Sequence, residues 1–202
     1  MSQDLKKEQT LVIIKPDGIQ RSLIGELIQR YERTGLKLVA IKMLIPSKEL
    51  VEKHYTVDPT WRMKNGLKTI ANYEAKGLIP PSADPMVCSG QTLKKLVDYM
   101  SSGPVIAMIW QGMHACGVVR KVTGGTEPLT SDVGTIRGDL TIDSYQVADL
   151  DQRCTRNLVH ASGSAQEAID EIKLWFSNEE IIKYKLFNET ILYESNLDSI
   201  LS

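Results

Sequence analysis

Three apolar runs constrain the fold more than any other feature of the chain: "TLVII" (Thr10–Ile14), "LKLVAIKMLI" (36–45) and "VIAMIW" (105–110). Each is rich in β-branched or long aliphatic residues and is bounded by turn or helix-breaking residues, so each reads as a buried strand. Pro16-Asp17-Gly18 closes the first with turn chemistry. Between the first two runs, "LIGELIQRYERTG" (23–35) places Leu23, Leu27 and Tyr31, with Ile24 and Ile28, on one face of a helix. Glu26, Arg30 and Arg33 fall elsewhere, and Gly35 is the natural stop.

Further elements follow the same logic. Ser47 is a plausible N-cap for a short helix over "KELVEKHY", and "TLKKLVDYMSSGP" (92–104) is amphipathic through Leu93, Leu96, Val97 and Met100. Ser164-Ala-Gln-Glu167 has the form of a capping box opening a helix with Ala165, Ala168, Ile169, Ile172 and Trp175–Phe176 on its apolar face. "NETILYE" (188–194) suits a last strand. Strands alternate with helices, yet several connections suit antiparallel pairing. The expected fold is α/β in the α+β sense: a ferredoxin-like split βαβ sandwich, a four-stranded antiparallel sheet covered by helices. Residues 57–90 change character, with a weak helical period through Leu67, Ile70 and Ala71 and then a Pro-rich, loop-like "LIPPSADPMVCSG". They read as a subregion inserted into a single domain over 1–202. Trp61, Tyr73 and several aliphatics there need burial, which argues against disorder.

Composition narrows the function. The net charge of −1 gives no overall pull toward nucleic acid or an anionic membrane. No apolar run is long enough to span a bilayer, and the polar "MSQDLKKEQ" lacks the apolar core of a signal peptide. Cys88, Cys116 and Cys154 are odd in number, far apart and without metal-ligand spacing, which fits a reducing, cytoplasmic setting.

The chemistry gathers around "NLVHASGS" (157–164). His160 is followed by small residues and then by a capped helix start, whose free N–H groups and positive dipole end suit an anion. A neutral imidazole can accept a phosphoryl group and give it up again, which splits one transfer into two steps. Glu171, two helical turns beyond Ser164, can reach back to the same side. Phosphoryl transfer also needs positive charge. Lys15 stands at the C-terminal end of a buried strand, and Arg137 sits in "GTIRGD" between glycines. Read alone, Lys15 suits a solvated strand end as well as a ligand site, and "GTIRGD" suits a surface turn as well as a phosphate contact.

Taken in order, "TLVIIKPDG", "LIGELIQRYERTGLKLVAIKM", "HY", "SGPVIAMIWQG", "GTIRGD", "NLVHASGS" and "EIKLWF" closely resemble nucleoside diphosphate kinase. The resemblance runs from about Glu8 to Glu194, interrupted at about 57–90 and 142–153. It implies reversible ping-pong transfer of the γ-phosphoryl from a nucleoside triphosphate to a nucleoside diphosphate, balancing NTP and dNTP pools. It implies homo-oligomers, hexamers or tetramers, and Mg²⁺ held through the nucleotide phosphates with no direct protein ligand. His160 is then the phosphorylated nucleophile, supported by Glu171 and Ser162. Lys15 contacts the transferring phosphoryl and the ribose, with Tyr55 beside it. Arg120, Thr126 and Arg137 hold the distal phosphates, Asn157 the ribose, and Leu96 lines the base site.

Two departures stand out. The family's usual run after the histidine is His-Gly-Ser-Asp-Ser, and here Gly163 replaces the aspartate. The family stacks the base on a phenylalanine whose place is taken by Thr92, which leaves Trp61 or Tyr73 of the inserted stretch as a replacement. A catalytically silent scaffold of the same fold is a competing reading, opposed by the retained Lys15, Arg120, Arg137, Asn157 and His160. A nucleic-acid binder is another, opposed by the charge and by the lack of an exposed aromatic sheet motif.

Overall fold

The computed structural model describes residues 5–75 and 77–194; the polar start before Leu5 and the tail after Glu194 lie outside the described residues. Strands β1 (Glu8–Ile14), β2 (Lys37–Leu44), β3 (Val105–Gly112) and β4 (Val159–Ala161) form one antiparallel sheet in the order β2-β3-β1-β4. The helices are α1 (Pro16–Gln20), α2 (Ile24–Glu32), α3 (Lys48–Tyr55), α4 (Trp61–Ala75), α5 (Pro85–Met100), α6 (Ala115–Thr123), α7 (Ile136–Leu140), α8 (Tyr145–Leu150), α9 (Ala165–Trp175) and α10 (Glu189–Tyr193). The order of strands and the crossovers through α2 and α6 make this the ferredoxin-like split βαβ fold.

Both faces of the sheet are covered. Val12 and Ile14 of β1 pack with Leu27 and Tyr31 of α2 and Val119 of α6 on one face. Leu11 and Ile13 pack with Val51 of α3, Met100 of α5 and Ile172 and Trp175 of α9 on the other. Alternating side chains on β1 therefore both meet apolar neighbours, which is why its sequence is a continuous apolar run rather than a period-two pattern. β2 is an edge strand, and its outer end exposes Ile41 at 50% and Met43 at 57%.

The structure corrects three expectations. "NETILYE" is helical, as α10, and the fourth strand is Val159–Ala161, the three residues centred on His160. A strand that short carries no readable periodicity; its pairing with Val12–Ile14 defines it. The stretch at 78–90 is not all loop. Pro85 opens α5, seven residues before the expected start at Thr92, with the Met86 N–H donating to the Asp84 carboxylate at 2.8 Å. Proline at the first helical position starts a helix because its missing N–H would have had no partner. Within 122–157, which reads from its sequence as a loop-rich region, two short helices form, α7 capped by Thr135 and α8 capped by Ser144.

The inserted stretch is tied down by a close helix crossing. α4 lies against the start of α5 at Gly66, where a Cβ would stand 1.9 Å from the Pro85 carbonyl oxygen. Only glycine permits that approach.

Candidate active site

Pairing of Ile13 with His160 across β1 and β4 puts both side chains on the same face of the sheet, the one covered by α3 and α9. The backbone before His160 is held in an unusual shape. Leu158 has φ +68°, and the Val159 N–H donates back to the Asn157 carbonyl at 2.8 Å, a γ-turn of the strained, positive-φ kind. Four contacts impose it. The Leu158 N–H donates to Asp17 Oδ2 at 3.1 Å, and the Lys15 N–H donates to the Leu158 carbonyl at 2.8 Å. Arg137 Nε donates to the Asn157 carbonyl at 3.0 Å and its Nη2 to the Val159 carbonyl.

Behind His160 stands a buried polar set. Glu171 Oε1 lies 2.9 Å from His160 Nε2, off the line of a hydrogen bond. Glu171 Oε2 accepts from the Ser162 hydroxyl at 2.6 Å, and Ser162 Oγ accepts from the Leu11 N–H at 3.2 Å. His54 of α3 packs edge-on against His160, ring centroids 4.3 Å apart. Trp175 Nε1 donates to His54 Nδ1 at 3.2 Å, so His54 carries its own proton on Nε2. Burial, and then the charge of Lys15, lower the His160 pKa to about 3; burial does the same to His54. Both rings are neutral near pH 7, and His160 keeps a free lone pair. Burial raises the Glu171 carboxyl.

In front of His160 opens a cleft of about 590 Å³. Lys15, Tyr55, Leu96, Arg120, Thr126, Arg137, Asn157 and His160 all line it. Lys15 is 6% exposed, not solvated, and its Nζ donates to Asn157 Oδ1 at 2.8 Å. Burial first, and then the Arg137 charge, lower its pKa to about 8. Asn157 Nδ2 donates in turn to the Thr126 carbonyl at 2.8 Å, so one chain of hydrogen bonds ties Lys15 to the Thr126 loop. Arg137 gives its Nη1 hydrogens to the Gly124 and Gly125 carbonyls, at 3.2 and 2.9 Å. It therefore shapes the loop that holds Thr126 as well as charging the cleft. Tyr55 presents its ring 6.5 Å from that of His160. Glu171 and Ser162 lie behind the histidine rather than among the lining residues.

Helix α4 forms a wall of this cleft, through Trp61, Lys64, Asn65, Lys68 and Tyr73, and α8 faces it with Tyr145. Lys68 Nζ lies 5.8 Å from the Tyr145 ring centroid. Trp61 sits beside Tyr55, centroids 5.9 Å apart, at the histidine end. Tyr73, twelve residues further along α4, lies about 18 Å away along the helix axis. Thr92 turns its hydroxyl to the Cys88 carbonyl at 3.2 Å and presents no stacking face.

Reading of the sequence missed His54, Asp17 and Trp175. His54 precedes Tyr55 in a motif valued for the tyrosine, and Asp17 read as turn chemistry. Trp175 read as core. The packing of α3 and α9 on one sheet face joins His54 to Trp175, and the turn before β4 brings the Leu158 N–H to Asp17.

The family model described as nucleoside diphosphate kinase matches residues 8–71 and 89–181. A nucleoside diphosphate kinase from Pyrobaculum aerophilum is 43% identical over 180 residues, covering 87% of this chain and 98% of its own length. The chain belongs to the nucleoside diphosphate kinase family. The crystal structure of an NDP kinase from Pyrobaculum aerophilum superposes with a TM-score of 0.84 at 40% identity, over 88% of this chain and all of that one. A structure of the kinase from Borrelia burgdorferi, a transition-state mimic with bound vanadate and ADP, gives 0.76 at 34% identity, over 93% and 98% of the two chains. This kinase is thus a phosphotransferase of nucleotide metabolism. The family match leaves out 72–88, inside the stretch at 57–90, and runs through 142–153 without a break. No helix of the described residues is long and apolar enough to cross a membrane.

Proposed function

We propose that His160 is the residue this nucleoside diphosphate kinase phosphorylates, and that the attacking atom is Nδ1. One observation carries the reading: His160 is a neutral histidine at the floor of a cationic cleft, with its Nε2 enclosed against Glu171. That leaves Nδ1 as the nitrogen available to a nucleotide. Its lone pair attacks the γ-phosphorus, the bond to the β,γ-bridging oxygen breaks, and the nucleoside diphosphate departs with that electron pair. Nε2 keeps its proton, so the ring gains positive charge, which the carboxylate of Glu171 offsets. A second nucleoside diphosphate then takes the phosphoryl group by the reverse path.

The other residues act by position and charge. Lys15 neutralises the transferring group and reaches the ribose, held on line by Asn157, which binds the ribose itself. Arg120, Arg137 and Thr126 hold the distal phosphates, Tyr55 flanks the γ-phosphate, and Ser162 orients Glu171. Leu96 and Tyr73 frame the base. The lining around the phosphates is cationic, which fits Mg²⁺ carried on the nucleotide's phosphates rather than by protein ligands. When bound there, the ion neutralises charge on the triphosphate.

We place the enzyme in the cytoplasm, in keeping with its free cysteines. We expect a homo-oligomer, hexamer or tetramer, because β2 leaves an open edge with exposed Ile41, Met43 and Ile45. Incubation with γ-labelled ATP and Mg²⁺ tests the central reading. The expected product is an acid-labile, base-stable phosphoprotein that nucleoside diphosphates discharge. No label, or label that persists in His160→Ala, overturns it.

A further inference from the structure

The position where the family carries an acid is Gly163, and the space its side chain would fill is taken. An ideal Cβ on Gly163 would stand 2.5 Å from Oε2 of Glu167, a residue one helical turn into α9. The Glu167 carboxylate thus lies against the backbone of Gly163, with the carboxyl of Glu171, four residues on, as a like-charge neighbour. Its charge interacts with His160 and with Arg120. Glu167 therefore reaches back over the turn that follows the histidine and brings its charge toward the site.

We propose that Glu167 supplies the acidic group of this active site in place of residue 163, acting as a positioning residue for the phosphorylation of His160. The inference rests on His160 being the phosphorylated residue. The two arrangements exclude each other. A side chain at 163 would displace the Glu167 carboxylate, and an aspartate there would add a like charge beside it. Glycine at 163 is the condition for an acid at 167. The physical benefit is twofold. The carboxylate packs against the turn 162–164 at Gly163, and the Glu167–Glu171 pair keeps negative charge beside a ring that becomes cationic when Nδ1 takes the phosphoryl group.

Single-turnover labelling of His160 by γ-labelled ATP, with nucleotide Kd measured separately by calorimetry, tests this. Glu167→Gln keeps shape and removes charge. The expected result is a rate of phosphohistidine formation lowered about tenfold, with Kd unchanged. Gly163→Ala alone pushes the flexible carboxylate aside and slows labelling to a similar degree, and adding it to Glu167→Gln costs nothing more. Gly163→Asp alone is at least as slow as Glu167→Gln. The exchange Gly163→Asp with Glu167→Ser returns the acid to 163 and recovers most of the lost rate, which a merely structural role for Glu167 would not produce. Wild-type rates in Glu167→Gln, additive losses in the alanine double variant, or an exchange variant no faster than Gly163→Asp overturn the proposal. Absence of label on the wild-type protein overturns instead the assignment of His160.

Discussion

Replacing Gly66 by alanine tests whether α4 is a working wall of the nucleotide cleft. The new Cβ would lie 1.9 Å from the Pro85 carbonyl oxygen, 2.5 Å from its carbon and 2.7 Å from its Cα. All three are backbone atoms, so no side chain can swing away. Real Cβ contacts stay beyond 3.0 Å, and the two helices must part by about 1 Å or more. Overpacking of this kind costs about 1–3 kcal/mol. Alanine in a helix interior returns about 1 kcal/mol relative to glycine. The net loss is then at most about 2 kcal/mol, equivalent to a drop of roughly 4–8 °C in Tm for a chain of this size. Function should report the shift more sharply, because Trp61, Asn65, Lys68 and Tyr73 move together. Lys15, His160 and Glu171 sit on or beside β1, β4 and α9 and stay in place. The expected outcome is a KM for nucleoside diphosphates raised about tenfold with kcat nearly unchanged, the pattern of lost uniform binding. Steady-state kinetics and thermal unfolding on the same preparation decide it. A variant with wild-type KM and wild-type Tm refutes the view that this crossing sets the cleft.

Three further outcomes follow from the site. The Lys15 charge is lost as pH rises through about 8, so kcat/KM should fall above that pH, while kcat holds to higher pH because bound phosphates favour the charged form; a flat kcat/KM profile to pH 10 contradicts this. Ser162→Ala leaves the Leu11 N–H and a Glu171 oxygen without their partner and should cost about 1–3 kcal/mol in denaturant unfolding, with a fall in kcat; unchanged values argue against its bridging role. Tyr73→Ala should weaken nucleotide binding by about 1–3 kcal/mol if its ring replaces the missing stack, and Trp61→Ala by less, measured as Kd; equal Kd for Tyr73→Ala and wild type removes that role.

The sequence by itself determined the elements whose information is local. β1 and β3 are legible because their apolar runs are buried on both faces, and β2 because its run stays apolar even where Ile41 and Met43 are exposed. α2 and α9 are legible because helical periodicity, a glycine stop and the Ser164 cap act within a few residues. The motif order around Lys15, Arg137, Asn157 and His160 pointed to one site through the family resemblance, and all four line one cleft. Tertiary structure alone decided the rest. β4 is three residues long and exists only through its register with β1. Pairing Ile13 with His160 turns the histidine toward α3 and α9, and so creates its contacts with His54 and Glu171. The packing of α4 on α5 makes a weakly periodic stretch a wall of the cleft. Those contacts join residues far apart in the chain, and no local pattern encodes the distance between them.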